Sequence, residues 1–181
     1  ERMTEHIQAR FDYKIWRHIL NSAGIERFPQ YHFDMVRLGI GLHGISATNA
    51  PLQPVSSFKT YISSIREVPE GQSIGYGRKS FTTRPSRIAV ITVGYADGLN
   101  RHLSNRVGNV FIKGKRVPII GNICMDTCMI DVTDTNAAIG DEVEIFGKHI
   151  FVSELSEQLG TIPYEILTGI SHRVKRVYYK E

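Results

Sequence analysis

The rhythm of apolar positions changes once along this chain of 181 residues. Residues 1–10, ERMTEHIQAR, are mostly polar, with Met3 and Ile7 four apart, a spacing that predicts a helix. Residues 14–20, KIWRHIL, are apolar and aromatic enough to predict a short buried strand, and 35–45, MVRLGIGLHGI, form a near-continuous apolar run broken by glycines. A run without alternation predicts a strand buried on both faces, as in a parallel sheet. The intervening NSAGIERFP, residues 21–29, predicts a loop and a short helical turn. The first 48 residues therefore read as α/β material. After the proline-bearing connection NAPLQP the pattern shortens: SSFKTYISSIREV, SRIAVITVGYA, GNVFIKG, KRVPIIGNI, CMIDVTD and DEVEIFG are split by the turn signals PEGQ, ADG, KGK and AAIGD. β-branched and aromatic residues at this spacing predict an antiparallel barrel or sandwich. FVSELSEQLG, residues 151–160, predicts a helix beginning near Ser153, and PYEILTGIS runs on to a closing strand, HRVKRVYYK.

Composition narrows the function. Hydrophobic content of 41% and charged content of 22% are ordinary for a soluble globular protein. No apolar run approaches a membrane span, and no signal peptide opens the sequence. The net charge of +4 is scattered, with clusters only at KGKR (113–116) and HRVKR (172–176). Without a recognition helix, zinc finger or RNA-binding aromatic pattern, this surplus argues against nucleic acid and suits a small anion such as phosphate. Cys124 and Cys128 fall four apart in a segment that reads as strand, so both are expected on one face. With no second ligand pair they predict buried free thiols rather than a metal site. The chain begins at Glu1, inside an apparent helix, and reads as a fragment of a longer protein.

Three constellations carry candidate chemistry. His18, Ser22 and Arg37 precede the glycines of LGIG (38–41). Backbone N–H groups left free by glycines, with a hydroxyl beside them, suit a phosphate; glycines that merely allow close packing give the same pattern. In TVGYADGLNR (92–101), Tyr95 meets a turn built on Asp97-Gly98, with Arg101 following; an ordinary hairpin would look alike. Tyr76 sits between Gly75 and Gly77 in SIGYGRKS, a surface turn or an aimed phenol. In GNICMDTCMIDV (121–132), Met125 and Asp126 are expected mid-strand on opposite faces, where an aspartate needs a partner.

HFDMVRLGIGLHG, IGYGRKS, VGYADG, GNICMDTCMIDV and HRVKR, in that order, resemble the C-terminal part of alanine racemase, a pyridoxal-phosphate enzyme family of bacterial cell-wall (peptidoglycan) synthesis. The resemblance spans essentially the whole chain. It implies that residues 1–48 are the tail of a truncated (β/α)8 barrel, its last strands, and that 49–181 form the family's β-rich C-terminal domain. It further implies a cytoplasmic homodimer whose active sites combine one subunit's barrel with the other's β domain.

Residue by residue, the resemblance makes Tyr76 a catalytic base opposite a cofactor-binding lysine. Arg37 is matched to the cofactor's ring nitrogen; Ser22, Gly39 and Ile40 to its phosphate; and His18 to a support beneath it. Tyr95, Arg101 and Met125 match the substrate entrance, and Asp126 stands behind them. Two positions depart from the pattern. His172 stands where a phosphate-contacting tyrosine is common, and Asn122 where arginine often precedes ICMD. The lysine that binds pyridoxal 5'-phosphate as a Schiff base is absent, with no YKANAYG-like stretch here, so the chain alone is expected to be inactive. A racemase of another small amino acid such as serine, a fusion with another cell-wall enzyme, and a non-catalytic β-barrel binding module stay open.

Overall fold

A computed structural model describes residues 1–179 in two compact units, Glu1–Val55 and the described residues from Ser56 onward. The second is a closed barrel. Its strands are β1 (Phe58–Val68), β4 (Ser86–Ile91), β5 (Asn109–Ile112), β6 (Lys115–Ile120), β7 (Cys128–Asp131) and β8 (Glu142–Phe146), in the order β1-β4-β7-β6-β5-β8. A two-stranded hairpin, β2 (Ser73–Ile74) with β3 (Ser80–Phe81), lies between β1 and β4 in sequence. The six expected strand segments are thus the six barrel strands, and every pairing is antiparallel.

Closure depends on β1. Its 11 residues pair with β8 through Phe58–Tyr61 and with β4 through Ile62–Val68. Register shifts at Phe58/Lys59 and Ile62/Ser64 bend it between its two neighbours, the usual use of a bulge at a barrel corner. Side chains alternate across a strand, so Ala89 and Ile91, Cys128 and Ile130, and Val117 and Ile119 share one face. All are 5% exposed or less and fill the interior with Val110, Val143 and Ile145. The opposite face of β4-β7-β6 carries Ile88, Met129 and Ile120, and Ile74 of the hairpin covers it together with Val68. The hairpin therefore lies on the outside of the barrel wall, sealing apolar surface that would otherwise face water.

α3 (Val152–Leu159) matches the expected helix, and Gly160 ends it in the left-handed conformation. Residues 163–168 were expected to run on towards a strand; they form helix α4 (Pro163–Thr168), with Pro163 at its first turn, where a missing N–H costs nothing. The expected closing strand is absent over residues 172–179, which are turn and irregular chain; its last residue, Lys180, lies outside the described residues.

In the first unit α1 (Arg2–Gln8) and α2 (Ser22–Arg27) are helical as expected. The two apolar runs form no strand. They lie side by side and exchange backbone hydrogen bonds, from Asp34 and Met35 N–H to the Arg17 carbonyl and from Arg37 N–H to the Leu20 carbonyl. Residues 40–43 then tighten into a 3-10 turn. The expectation of burial on both faces is also corrected: Leu20 and Ile40 are buried, but Trp16, Ile19, Leu38 and Leu42 are exposed.

Polar contacts organise this unit instead. Lys14 and Arg17 converge on Asp34 at 2.7 and 3.4 Å, and the Lys14 hydrogen bond above all holds that carboxyl down at about 2. Glu26 accepts from the Ser46 and Thr48 hydroxyls and from the N–H groups of Ala47 and Thr48, which lower its pKa.

Candidate active site

Two groups of the expected site residues form, one in each unit. In the first, Asn21 caps α2 by accepting from the Gly24 N–H at 3.0 Å. That leaves the Ser22 hydroxyl, on a residue only 3% exposed, turned to the 39–41 loop. Its Oγ accepts from the Gly39 N–H at 2.9 Å and the Gly41 N–H at 3.2 Å. Ile40 lies between these glycines and is buried. The hydroxyl and the two glycine N–H groups are thus gathered at one point, with both N–H groups given to the Ser22 oxygen. The Arg37 side chain is exposed, with one terminal N–H donated to the Ile19 carbonyl at 3.0 Å, and His18 is exposed nearby in sequence.

The second group lies on the barrel, where three loops meet at one end. Ile91 of β4 pairs with Cys128 of β7, and Ile120 of β6 with Met129, so the segments 92–98 and 121–127 leave the same rim. Gly94 brings them together. A Cβ there would fall 2.3 Å from the carbonyl oxygens of both Cys124 and Met125, closer than any side chain could tolerate. That approach lets the Tyr95 and Ala96 N–H groups donate to those two carbonyls, each at 3.0 Å. Asp97 accepts from the Gly94 N–H at 2.9 Å.

Met125 and Asp126 thus sit in a loop ahead of β7 rather than mid-strand, and the loop's carbonyls are spent on residues 95 and 96. Cys124 belongs to the same loop, so the two thiols do not share a strand face. Cys128 is fully buried, and burial pushes its thiol up to about 12. Among the described residues, no group of three or more His, Cys, Asp or Glu side chains could hold a metal ion.

Arg173 locks the rim. Its guanidinium meets Asp97 and Asp126, each at 2.7 Å, and these two carboxylates raise its pKa. The Ser171 N–H donates to the Asp97 carbonyl, so the chain entering His172 is tied to the same loop. Arg173 was not singled out as a site residue. Its signal was a basic cluster, and only the folded chain shows that two distant aspartates need it.

Arg101 lies in the adjoining turn. Ser104 donates to the Arg101 carbonyl at 2.6 Å and accepts from the Ile123 N–H at 2.9 Å. Tyr95, Arg101, Met125 and His172 are all exposed.

Tyr76 arrives by the hairpin. Gly75 and Gly77, at φ 74° and 77°, take left-handed conformations on either side of it, and Arg78 follows at φ 48°. The residue is 77% exposed, and its ring is not drawn into the barrel interior. Its carbonyl accepts from the Asn122 side-chain amide at 2.8 Å, which fixes the turn to the segment carrying Met125.

A family model described as alanine racemase, C-terminal domain, matches residues 55–178, and one described as alanine racemase, N-terminal domain, matches 1–47. A curated relative, alanine racemase 2 of Caldanaerobacter subterraneus subsp. tengcongensis, is 48% identical over 172 residues, covering 90% of this chain and 44% of that protein. The crystal structure of alanine racemase from a D-cycloserine-producing Streptomyces lavendulae superposes with a TM-score of 0.91 at 31% identity, over 99% of this chain and 50% of the other. That of the Bartonella henselae alanine racemase with covalently bound pyridoxal phosphate gives 0.87 at 36% identity, over 98% and 50%. The chain spans about half the length of the proteins it matches.

Proposed function

The chain belongs to the alanine racemase family, and from that premise we propose that it supplies part of a pyridoxal-phosphate-dependent alanine racemase. In this reading it interconverts L- and D-alanine only together with the rest of a barrel that carries the cofactor-binding lysine. By itself it is inactive. The observation that carries the reading is the outward presentation of Tyr76, 77% exposed on a turn held from behind by Asn122.

Racemisation requires the Cα proton to leave one face and return to the other. Pyridoxal phosphate supplies a ring that takes up the carbanion charge. Ser22, Gly39 and Ile40 would hold its phosphate, while Arg37 would face its ring nitrogen and His18 would support it. The Tyr76 phenol is the proton carrier on one face, reaching the site of a second copy in a homodimer. An unassisted phenol is a weak base at neutral pH, and a nearby cation favours its charged form. The rim of Tyr95, Arg101 and Met125 orients alanine. The Arg101 guanidinium has no partner among the described residues, which leaves its donors available to a carboxylate. Production of D-alanine in the cytoplasm for peptidoglycan is the role we assign.

Tyr76→Phe in the full-length polypeptide tests this. Racemisation is expected to fall about 10²–10⁴-fold, the usual contribution of a positioned acid–base group. Because the equilibrium constant is unity, kcat/KM must fall equally in both directions. Exchange of the Cα hydrogen with solvent is therefore the discriminating measurement: it should survive for one enantiomer, whose proton the other base removes, and be lost for its mirror image. Unchanged racemisation, or equal loss of exchange from both enantiomers, would remove Tyr76 from this role.

A further inference from the structure

We propose that Asn122 is a positioning residue for the Tyr76 phenol, acting through a closed ring of hydrogen bonds. This rests on the assignment of Tyr76 above. Asn122 is 9% exposed and sits on the loop after β6. Its amide nitrogen donates to the Tyr76 carbonyl at 2.8 Å. Its amide oxygen accepts from the Asn105 amide at 3.0 Å. The Asn105 oxygen accepts from the Ser80 hydroxyl at 2.8 Å, and the Ser80 oxygen accepts from the Gly121 N–H at 3.2 Å. The Asn105 N–H donates in turn to the Gly121 carbonyl at 3.0 Å.

The ring has a single polarity. A backbone N–H can only donate and a carbonyl can only accept. Starting at Gly121 and ending at Tyr76, each side chain therefore has one orientation. Turning the Asn122 amide over would set its oxygen against the Tyr76 carbonyl and its NH2 against that of Asn105, and turning the Asn105 amide over would set its oxygen against that of Asn122. The circuit begins at residue 121 and returns through 122, so it forms a rigid bracket across the β2-β3 turn. Asn105 takes a left-handed φ of 56° to reach it.

The bracket grips the turn where it matters for the phenol. The Tyr76 ring is exposed and cannot be oriented by packing in its own domain. Its direction is set by the backbone, which passes through left-handed φ at residues 75, 77 and 78. Such a turn needs an outside contact to hold one geometry. Asn122, where arginine is common in the family, supplies it by a neutral amide, so this chain fixes the tyrosine without adding charge beside it.

Asn122→Asp is the test, made in the full-length enzyme with pyridoxal phosphate. Aspartate keeps the size and the bond from Asn105 but cannot donate to the Tyr76 carbonyl, and sets a carboxylate against it. The expected result is a fall in kcat of about 10–100-fold, with KM for alanine and the cofactor absorbance retained. On a Tyr76→Phe background the same change should cost little, because there is no phenol left to aim, and a double-mutant cycle reads that non-additivity.

Asn105→Asp is made in parallel. It lies on an exposed residue one bond further from Tyr76, so it keeps the test alive if Asn122→Asp does not fold. Its effect should have the same sense and be smaller. An unchanged kcat in the folded variants, or an equal loss with and without the phenol, overturns the inference while leaving the Tyr76 assignment standing. If Tyr76→Phe itself leaves racemisation intact, the assignment falls and the inference falls with it.

Discussion

Ile91, Val110 and Ile130 in the barrel are wholly shielded from water, while Trp16, Ile19 and Leu42 in the first unit are 65%, 62% and 62% exposed. Both stretches contain apolar runs of similar strength. In the barrel each strand finds two antiparallel neighbours, so the inward half of every alternation meets another inward half. In Glu1–Val55 the two apolar runs find only each other, and of the buried apolar side chains only Leu20 and Ile40 belong to that unit. Its polar groups are nonetheless well partnered, at Asp34, Glu26 and Ser22. Hydrogen bonding can therefore be satisfied locally where apolar burial is not. With only these two apolar side chains buried, the unit has little core of its own, which agrees with the proposal that further barrel surface covers it.

The widest gap should appear in amide hydrogen exchange on the chain. If the barrel has even the lower range of domain stability, about 5 kcal/mol, its strand amides should exchange at least about 10³-fold more slowly than those of residues 1–55. Equal protection in the two regions would break the comparison. Substitution gives the next effect. Ile130→Ala empties a site inside the barrel and should cost about 2–5 kcal/mol, seen as a lower urea midpoint. Trp16→Ala removes a larger side chain, yet should move that midpoint by less than about 0.5 kcal/mol. A Trp16→Ala loss approaching that of Ile130→Ala would show that the first unit shares the barrel's core.

The same contrast explains what could be read beforehand. Six barrel strands were legible because each is short, rich in β-branched and aromatic residues, and bounded by its own turn signal, information local to the segment. MVRLGIGLHGI misled because a near-continuous apolar run predicts a strand only if other strands flank it, and no strand forms within Glu1–Val55. ICMD misled for a different reason: Gly94 pulls the opposite loop against the carbonyls of 124 and 125, so the residues before Cys128 cannot join the ladder. No local pattern encodes that approach. The turn that carries Tyr76 was legible through its two glycines, both of which have positive φ. Arg173 and Asn105 were not, because their partners lie 76 and 17 residues away. What makes them matter is closure of a rim, a property of the fold and not of any segment.

A smaller and more selective effect separates the regions by pH. Glu144 is 7% exposed in the middle of β8. Burial alone would raise its pKa, but the N–H groups of His149 and Ile150, at 2.7 and 3.2 Å, and the His149 ring at 3.1 Å outweigh burial and lower it. A carboxyl depressed in the folded state adds stability above its unfolded pKa, near 4.3, and loses it as pH falls through the folded value. Glu144→Gln keeps the shape but weakens acceptance from two backbone donors, and should cost about 1–3 kcal/mol at pH 7. Towards pH 3 the wild-type barrel loses the same advantage, so the two melting curves should converge. Asp34 is depressed further still, yet it is paired at the surface of the first unit. Asp34→Asn should leave the barrel's acid transition where it is. Parallel curves for wild type and Glu144→Gln down to pH 3 would mean that the barrel's acid sensitivity lies elsewhere, with Asp131 next to examine, since its hydrogen bonds from Thr133 and Arg106 lower its pKa against the opposing effect of burial.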